Sequence, residues 1–207
     1  IKYNIDKLYY LCYNTYVKKY KKERKTNMKK YFTADPHFGH ANMIKLANRP
    51  FSDVEEMDKI LIQNWNNIVR AEDEIYIIGD FAWYSNPEKV NSLLKKLNGK
   101  KFLITGNHDH FLKNKNFDRS QFVWIRDYAT IKHEDTKIAL FHYPIAEWDG
   151  FYRESIHIHG HQHNKPEYNV KQQELNLKRY DAGVDANNYM PVSIEHIINF
   201  TKNSTNK

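Results

Sequence analysis

The interpretation of this chain starts from one stretch, Lys29-Lys30-Tyr31-Phe32-Thr33-Ala34-Asp35-Pro36-His37-Phe38-Gly39-His40. Its first five residues predict a β-strand, and the strand runs directly into Asp35 and His37. In extended backbone, residues two apart point to the same side, so this carboxylate and this imidazole can face one cavity. The stretch therefore predicts a polar site at the end of a strand.

Four further motifs have the same placement, each just after a predicted strand. Loops at strand ends are where an α/β scaffold displays reactive groups. Every motif contributes a carboxylate, an imidazole or an asparagine carbonyl, all of which can bind a metal ion. The motifs are Gly79-Asp80, Gly106-Asn107-His108-Asp109, Phe141-His142-Tyr143-Pro144 and Gly160-His161-Gln162-His163.

Helix and hairpin signals lie between these motifs. Ser52-Asp53-Val54-Glu55 is a capping box that predicts a helix, and Asn86-Pro87 begins a second helix that Gly99 closes. Residues 128–133 and 137–141 predict a hairpin, and residues 193–200 predict a closing helix. Helices alternate with strands early and strands dominate late, which predicts an α/β protein with two sheets.

Composition excludes several classes of protein. No apolar run approaches the roughly 18 residues that a membrane span needs. One cysteine, Cys12, excludes an internal disulfide framework and a cysteine-based zinc finger, whereas eleven histidines favour a site built from imidazole and carboxylate.

The net charge of +7 is concentrated at one end of the chain. Residues 1–27 carry eight basic and two acidic residues, whereas residues 28–207 are close to neutral. We predict a basic, tyrosine-rich extension over 1–27, one domain over 28–200 and a polar tail over 201–207. Met28 is interpreted as the natural start. The alternative is that the extension is an arm that binds a membrane surface or nucleic acid.

The donor types indicate which metals would bind. Three or four imidazoles with carboxylates suit Mn, Fe, Zn, Ni or Co, of which Mn is favoured here, whereas all-oxygen sets suit Mg²⁺ or Ca²⁺. Two such ions about 3.5–4 Å apart can activate water and clamp an in-line displacement at phosphorus. Asp80 is the natural bridging carboxylate.

In this order, the five motifs resemble those of the calcineurin-like metallophosphoesterase superfamily. Residues 33–42 and Arg49-Pro50-Phe51 resemble, more narrowly, its small phage- and bacterium-type members. The resemblance implies two mixed β-sheets packed face to face and flanked by helices on both sides. It also implies that His108 protonates the leaving group and that Asp109 orients His108. For the metals, it implies one site of Asp35, His37, Asp80 and His163 and a second of Asp80, Asn107, His142 and His161.

Other polar and aromatic residues near the motifs have weaker signals. His40 and Arg49 are predicted to contact substrate, although each also fits a structural role. His157 and His159 are expected on the opposite face of their strand. The aromatic side chains that follow the motifs are expected in the core or at the rim, or stacked on a nucleobase. They are Trp83, Tyr84, Tyr143, Trp148, Phe151 and Tyr152.

The predicted function is metal-dependent hydrolysis of a small, nucleotide-type phosphate ester by a cytoplasmic enzyme. The protein phosphatases of the superfamily carry an arginine in an extended Gly-Asp motif, whereas Gly79-Asp80 continues into Phe81-Ala82-Trp83. A protein phosphatase is therefore disfavoured. Two alternatives stay open: a nuclease that uses residues 1–27 to bind nucleic acid, and a non-catalytic scaffold of the kind found in the retromer complex.

Overall fold

The computed structural model describes residues 28–84 and 86–202. The strands in these ranges are β1 (Lys30–Thr33), β2 (Glu74–Ile78), β3 (Lys100–Ile104), β4 (Phe122–Arg126), β5 (Tyr128–His133), β6 (Thr136–Phe141), β7 (Ile156–His159), β8 (Arg179–Asp181) and β9 (Val192–Ser193). The α-helices are α1 (Asn42–Leu46), α2 (Val54–Ile68), α3 (Pro87–Lys96), α4 (Glu167–Glu174) and α5 (Ile194–Lys202).

The strands form two mixed sheets. The first has the order β4-β3-β2-β1-β9, in which β1 to β4 are parallel and β9 is antiparallel to β1. The second has the order β5-β6-β7-β8 and begins with the predicted antiparallel hairpin, followed by parallel pairs. The hairpin pairs Tyr128 with Phe141 and His133 with Thr136 across the two-residue turn.

Two hydrophobic clusters define the layers. One lies between the sheets and joins Phe32, Ile78 and Ile104 of the first sheet to Leu140 and Ile158 of the second. The other covers the opposite face of the first sheet with the apolar sides of α2 and α3.

Helix α4 packs against the second sheet, where Asn169 exchanges hydrogen bonds with the backbone of Asp181. The expected architecture of two mixed sheets face to face, with helices on both sides, is confirmed.

The helix ends follow local sequence, with small differences from the prediction. Asp53 rather than Ser52 is the N-cap of α2, because its side chain accepts from the Glu56 N–H at 2.8 Å, while Ser52 donates to Glu56. Asn86 caps α3, as predicted. Helix α5 extends through Thr201, which is buried, so the helix runs two residues past its predicted end.

The predictions for residues 1–27 and 203–207 lie outside the described residues. In the part of the chain that the structure covers, none of the helices combines the length and apolarity needed to cross a membrane.

Strand direction brings the five motifs to one edge of the sandwich. Strands β1, β2 and β3 are parallel, so their carboxyl ends meet at the same edge of the first sheet. Strands β6 and β7 are also parallel and end at the corresponding edge of the second sheet. A bridge of Ala34 to Gly183 connects the two groups of loops.

Candidate metal centre

Two groups of side chains at this edge have the spacing of metal ligands. The first group is Asp35, His37 and His163, and the second is Asp80, His142 and His161. Within each group, one potential ligand atom per residue lies within 4.8 Å of the others. The structure thus brings together residues from four separate loops.

Asp80 lies between the two groups. Its Oδ2 is 3.5 Å from Nε2 of His37 in the first group and 3.4 Å from Nε2 of His142 in the second. Its Oδ1 accepts a hydrogen bond from the backbone N–H of His108 at 2.8 Å. One carboxylate oxygen is therefore held by the protein, while the other faces both groups.

Two buried atoms that could act as metal ligands support metal binding, independently of any comparison with known proteins. Among the described residues, Asp35 Oδ1 and His37 Nε2 are the buried side-chain atoms without a hydrogen-bond partner. Unsatisfied buried polar atoms are rare in folded proteins because desolvation destabilises them. Both atoms belong to the first group, so this donor set fits a divalent cation.

Outer hydrogen bonds orient two of the imidazole rings. His142 Nδ1 is 2.8 Å from the Ile78 carbonyl oxygen, which can only accept, so Nδ1 carries the proton. That leaves Nε2 facing Asp80 and Asn107 Oδ1, the latter at 3.1 Å. His163 Nδ1 is similarly 2.9 Å from Asp185 Oδ2. Such contacts fix the tautomer and direction of metal-binding histidines.

The backbone at these positions is strained. Five candidate ligands are non-glycine residues with positive φ: Asp35 at 54°, His37 at 50°, Asp80 at 53°, His161 at 76° and His163 at 50°. This left-handed region is unfavourable for side chains with a Cβ, and such strain concentrates at functional sites.

Two glycines permit the close approach of these loops. A Cβ on Gly79, whose φ is 86°, would lie 2.3 Å from Nδ1 of His142. A Cβ on Gly160 would lie 2.4 Å from Oδ2 of Asp35. Neither position can carry a larger residue without displacing a candidate ligand.

Burial and charge shift the pKa values in the pocket. Burial raises the pKa of Asp35 to about 7 and lowers that of His37 to about 3. Burial opposes the charged form of Asp80 and of His142 too. Their mutual hydrogen bond and charge outweigh it, lowering the pKa of Asp80 to about 2 and raising that of His142 to about 9. The pocket thus concentrates anionic and imidazole groups that favour a bound positive charge.

Asn107 lies next to the second group, and His108 lies next to the first. Asn107 Oδ1 lies near His142, and the Tyr143 hydroxyl donates to it at 3.3 Å. The His108 ring belongs to neither ligand group, and its centroid is 5.5 Å from that of His37. His108 is therefore placed beside the candidate metal positions.

The structure corrects the expectation for Asp109. Its carboxylate is buried and accepts from the backbone N–H groups of Gly106, Asp80 and Phe81 at 2.8, 3.0 and 2.7 Å. These bonds hold the Asp80 loop against the loop that carries Asn107. Asp109 therefore organises backbone rather than orienting the His108 ring.

Arg49 also differs from the expectation of a substrate contact. Its side chain is fully buried, with a two-point ion pair to Asp185 at 3.0 and 2.8 Å. It further donates to the carbonyls of Asp35 and Pro36 at 2.8 and 2.9 Å. Because these contacts occupy the guanidinium away from solvent, Arg49 supports the Asp35 loop in this structure.

His40 lies at the rim of the site. Its ring stacks on Trp83, with 4.0 Å between centroids and 6° between planes, and its Nδ1 is 3.4 Å from Nδ1 of His37. The Gly39 N–H in the same loop donates to Asp58 at 3.0 Å, and the Tyr84 hydroxyl donates to Asp58 at 2.6 Å.

His157 and His159 point away from this centre. Both are buried, and Nε2 of His157 is 3.2 Å from the Tyr143 carbonyl oxygen. His159 Nε2 is 3.2 Å from the Tyr168 hydroxyl of α4. Burial lowers the pKa of both imidazoles to about 3, so both are neutral, and His159 lies between β7 and α4.

Asp185 is a supporting residue that the sequence reasoning missed. It joins Arg49 to His163 and so connects the first and last motifs of the chain. A signal was present, because Gly183 and Asp185 follow the short strand β8, which ends at Asp181, as the other motifs follow their strands.

Comparisons with known proteins agree with this geometry. The family model for calcineurin-like phosphoesterase matches residues 28–130. An uncharacterized protein of Methanocaldococcus jannaschii is 38% identical over 176 residues, covering 81% of this chain and 88% of the relative. The gene 66 protein of Mycobacterium phage L5 is 36% identical over 81 residues, which is 38% of this chain and 39% of that protein.

A solved structure gives the same fold. The crystal structure of a protein of unknown function from Aquifex aeolicus has a TM-score of 0.66 and 28% identity, covering 84% of this chain and 99% of that one. Together with the family model and the archaeal relative, this similarity shows that the chain belongs to the calcineurin-like phosphoesterase family.

Proposed function

We propose that this protein is a dinuclear-metal-dependent phosphoesterase acting on a small, nucleotide-type phosphate ester. The observation that carries the proposal is the position of Asp80 Oδ2, within 3.5 Å of a histidine from each ligand group. The proposed first site is Asp35, His37, Asp80 and His163. The proposed second site is Asp80, Asn107, His142 and His161.

The proposed cofactors are two divalent transition-metal ions, with Mn favoured over Fe, Zn, Ni and Co because the donors mix imidazole with carboxylate and amide oxygen. When bound, such a pair supplies Lewis acidity toward the phosphoryl oxygens and lowers the pKa of water.

The chain's own residues supply positioning and proton transfer. Nε2 of His142 faces the second site because the Ile78 carbonyl holds Nδ1, and Asp185 does the same for His163. His108 is proposed to donate a proton to the leaving oxygen, since its ring lies 5.5 Å from that of His37 and belongs to neither ligand group. Asp109 holds the backbone of Asp80, which keeps the proposed bridging carboxylate in place.

The proposal extends to organisation and location. We infer a catalytic domain over residues 28–200, an extension over 1–27 that is dispensable for small substrates, and a cytoplasmic protein. A nuclease that depends on residues 1–27 would lose salt-sensitive nucleic-acid binding when they are removed. A small-substrate enzyme would keep its rate.

A metal-replete activity screen tests the proposal. Apo and Mn-loaded protein are assayed with bis-p-nitrophenyl phosphate and with p-nitrophenyl phosphate, and Asn107→Ala is the matched variant. We expect Mn-dependent hydrolysis of at least one ester and a large loss in Asn107→Ala. Equal inactivity of apo and Mn-loaded protein on both esters would instead support the non-catalytic scaffold.

A further inference from the structure

We propose that Trp83 and the cavity beside it form a subsite for the nucleobase of the leaving group. This inference rests on the proposed phosphoesterase function and names the part of the substrate that the protein would recognise. The cavity has a volume of about 470 Å³ and is lined by Ala82, Trp83, Tyr84, His108, His110, Phe111, Lys113 and Asn114. That volume lies in the ~300–1,000 Å³ range of small-molecule sites.

Trp83 is presented as a rigid, partly exposed aromatic face. The side chain is 44% exposed, which is unusual for a tryptophan that serves only packing. Its ring stacks on His40, and its backbone N–H donates to the Phe38 carbonyl at 2.9 Å. Because these contacts already order the ring, the Trp83 side chain loses little further conformational entropy when a ligand stacks on it.

The position of the cavity relative to His108 assigns it to the leaving group. His108 lines the cavity, and its ring centroid is 5.1 Å from that of Trp83 and 5.5 Å from that of His37. The substituent on the oxygen that His108 protonates must lie next to His108. Its continuation therefore enters the space in front of Trp83.

The chemistry of the lining favours a nucleobase over an aliphatic group. Trp83 and His110 present aromatic faces whose centroids lie 6.4 Å apart and whose planes are inclined by 60°, and Lys113 and Asn114 are exposed polar groups at the same cavity. Bases stack on such faces without strong sequence preference, and the polar groups can donate to acceptors on the base edge.

Equilibrium binding tests this assignment without relying on turnover. The metal-loaded full chain is titrated calorimetrically with the methylenephosphonate analogues of adenosine 5′-monophosphate and ribose 5-phosphate, which resist hydrolysis at the P–C bond. The variants are Trp83→Ala, Trp83→Phe and, as a control, Tyr152→Ala, which removes an aromatic ring that is 81% exposed and does not line the cavity.

We expect the wild-type protein and Tyr152→Ala to bind the adenosine analogue more tightly than the ribose analogue. Trp83→Ala should weaken the adenosine analogue by roughly 5- to 150-fold, the range for losing one stacked base, and leave the ribose analogue unchanged. Trp83→Phe should retain most of the preference. Equal affinities in the wild type, or equal weakening of both analogues by Trp83→Ala, would overturn the subsite.

The bis-p-nitrophenyl phosphate assay on the same preparations separates the two proposals. Hydrolysis of that ester without any adenosine preference would leave the proposed function standing and reject the subsite. A Trp83-dependent adenosine preference in a protein that hydrolyses no ester would reject the proposed function and, with it, the assignment of this subsite to a leaving group.

Discussion

Replacing Arg49 tests whether this residue supports the site from inside the protein or contacts substrate. Its guanidinium makes a two-point ion pair with Asp185 and donates to the Asp35 and Pro36 carbonyls, all in a fully buried setting. Breaking a buried ion pair by removing one partner destabilises a protein by about 3–5 kcal/mol. We expect Arg49→Met to lower the free energy of unfolding by this amount.

Arg49→Lys gives a milder test that the protein is expected to survive. Lysine keeps the charge, but a single ammonium group cannot replace the planar guanidinium, whose N–H donors reach Asp185 and two carbonyls at the same time. We expect the free energy of unfolding to fall by about 2 kcal/mol, because charged hydrogen bonds are no longer made. At about 2–4 °C per kcal/mol for a chain of this length, Tm should fall by roughly 4–8 °C.

The assay is thermal and urea unfolding of the metal-free protein, followed by circular dichroism. Arg70→Met is the matched control, since the Arg70 side chain is 48% exposed and should leave Tm nearly unchanged. Metal content should also fall in the Arg49 variants because Asp185 loses the partner that helps it hold His163. Arg49→Lys protein with wild-type unfolding and only a raised KM would refute this reasoning and restore the substrate contact.

Three further substitutions probe the centre and its surroundings. His108→Asn should cut turnover by roughly 10²–10⁴ with metal content intact, and loss of metal would show that His108 is a ligand. Asp80→Asn keeps an acceptor for the His108 N–H but cannot bridge, so metal measured by mass spectrometry should fall from two ions to at most one per chain. Burial raises the pKa of Asp181 to about 6, so the wild type should lose stability as pH rises from about 4 to 6. Asp181→Asn should reduce that loss by up to about 3 kcal/mol, while Asp35 and Asp109, whose pKa values burial also raises, keep their shares, and an unchanged pH profile of urea midpoints would contradict it.

Local sequence was sufficient for most helix and strand positions. Alternation and turn residues predicted the hairpin of β5 and β6, and Asn86-Pro87 predicted the start of α3. These features depend on residues within one turn or one strand of each other. The cap of α2 was predicted one residue early because Ser52 and Asp53 both offer an oxygen, and only the backbone path determines which one meets the Glu56 N–H.

The sequence by itself predicted that the five motifs would share one site, because each follows a predicted strand and loops at strand ends display reactive groups. The strand directions came from the structure: parallel strands bring their carboxyl-terminal loops to one edge, where six of the predicted ligands form two groups.

Only the tertiary structure decided how the centre is supported. Arg49 and Asp185 are 136 residues apart and pair because the loops after β1 and β8 are brought together by the bridge of Ala34 to Gly183. Asp109 proved to be a backbone acceptor because the loops after β2 and β3 press together around it. No periodicity or local motif encodes such contacts, since they arise from the packing of distant segments around buried charge.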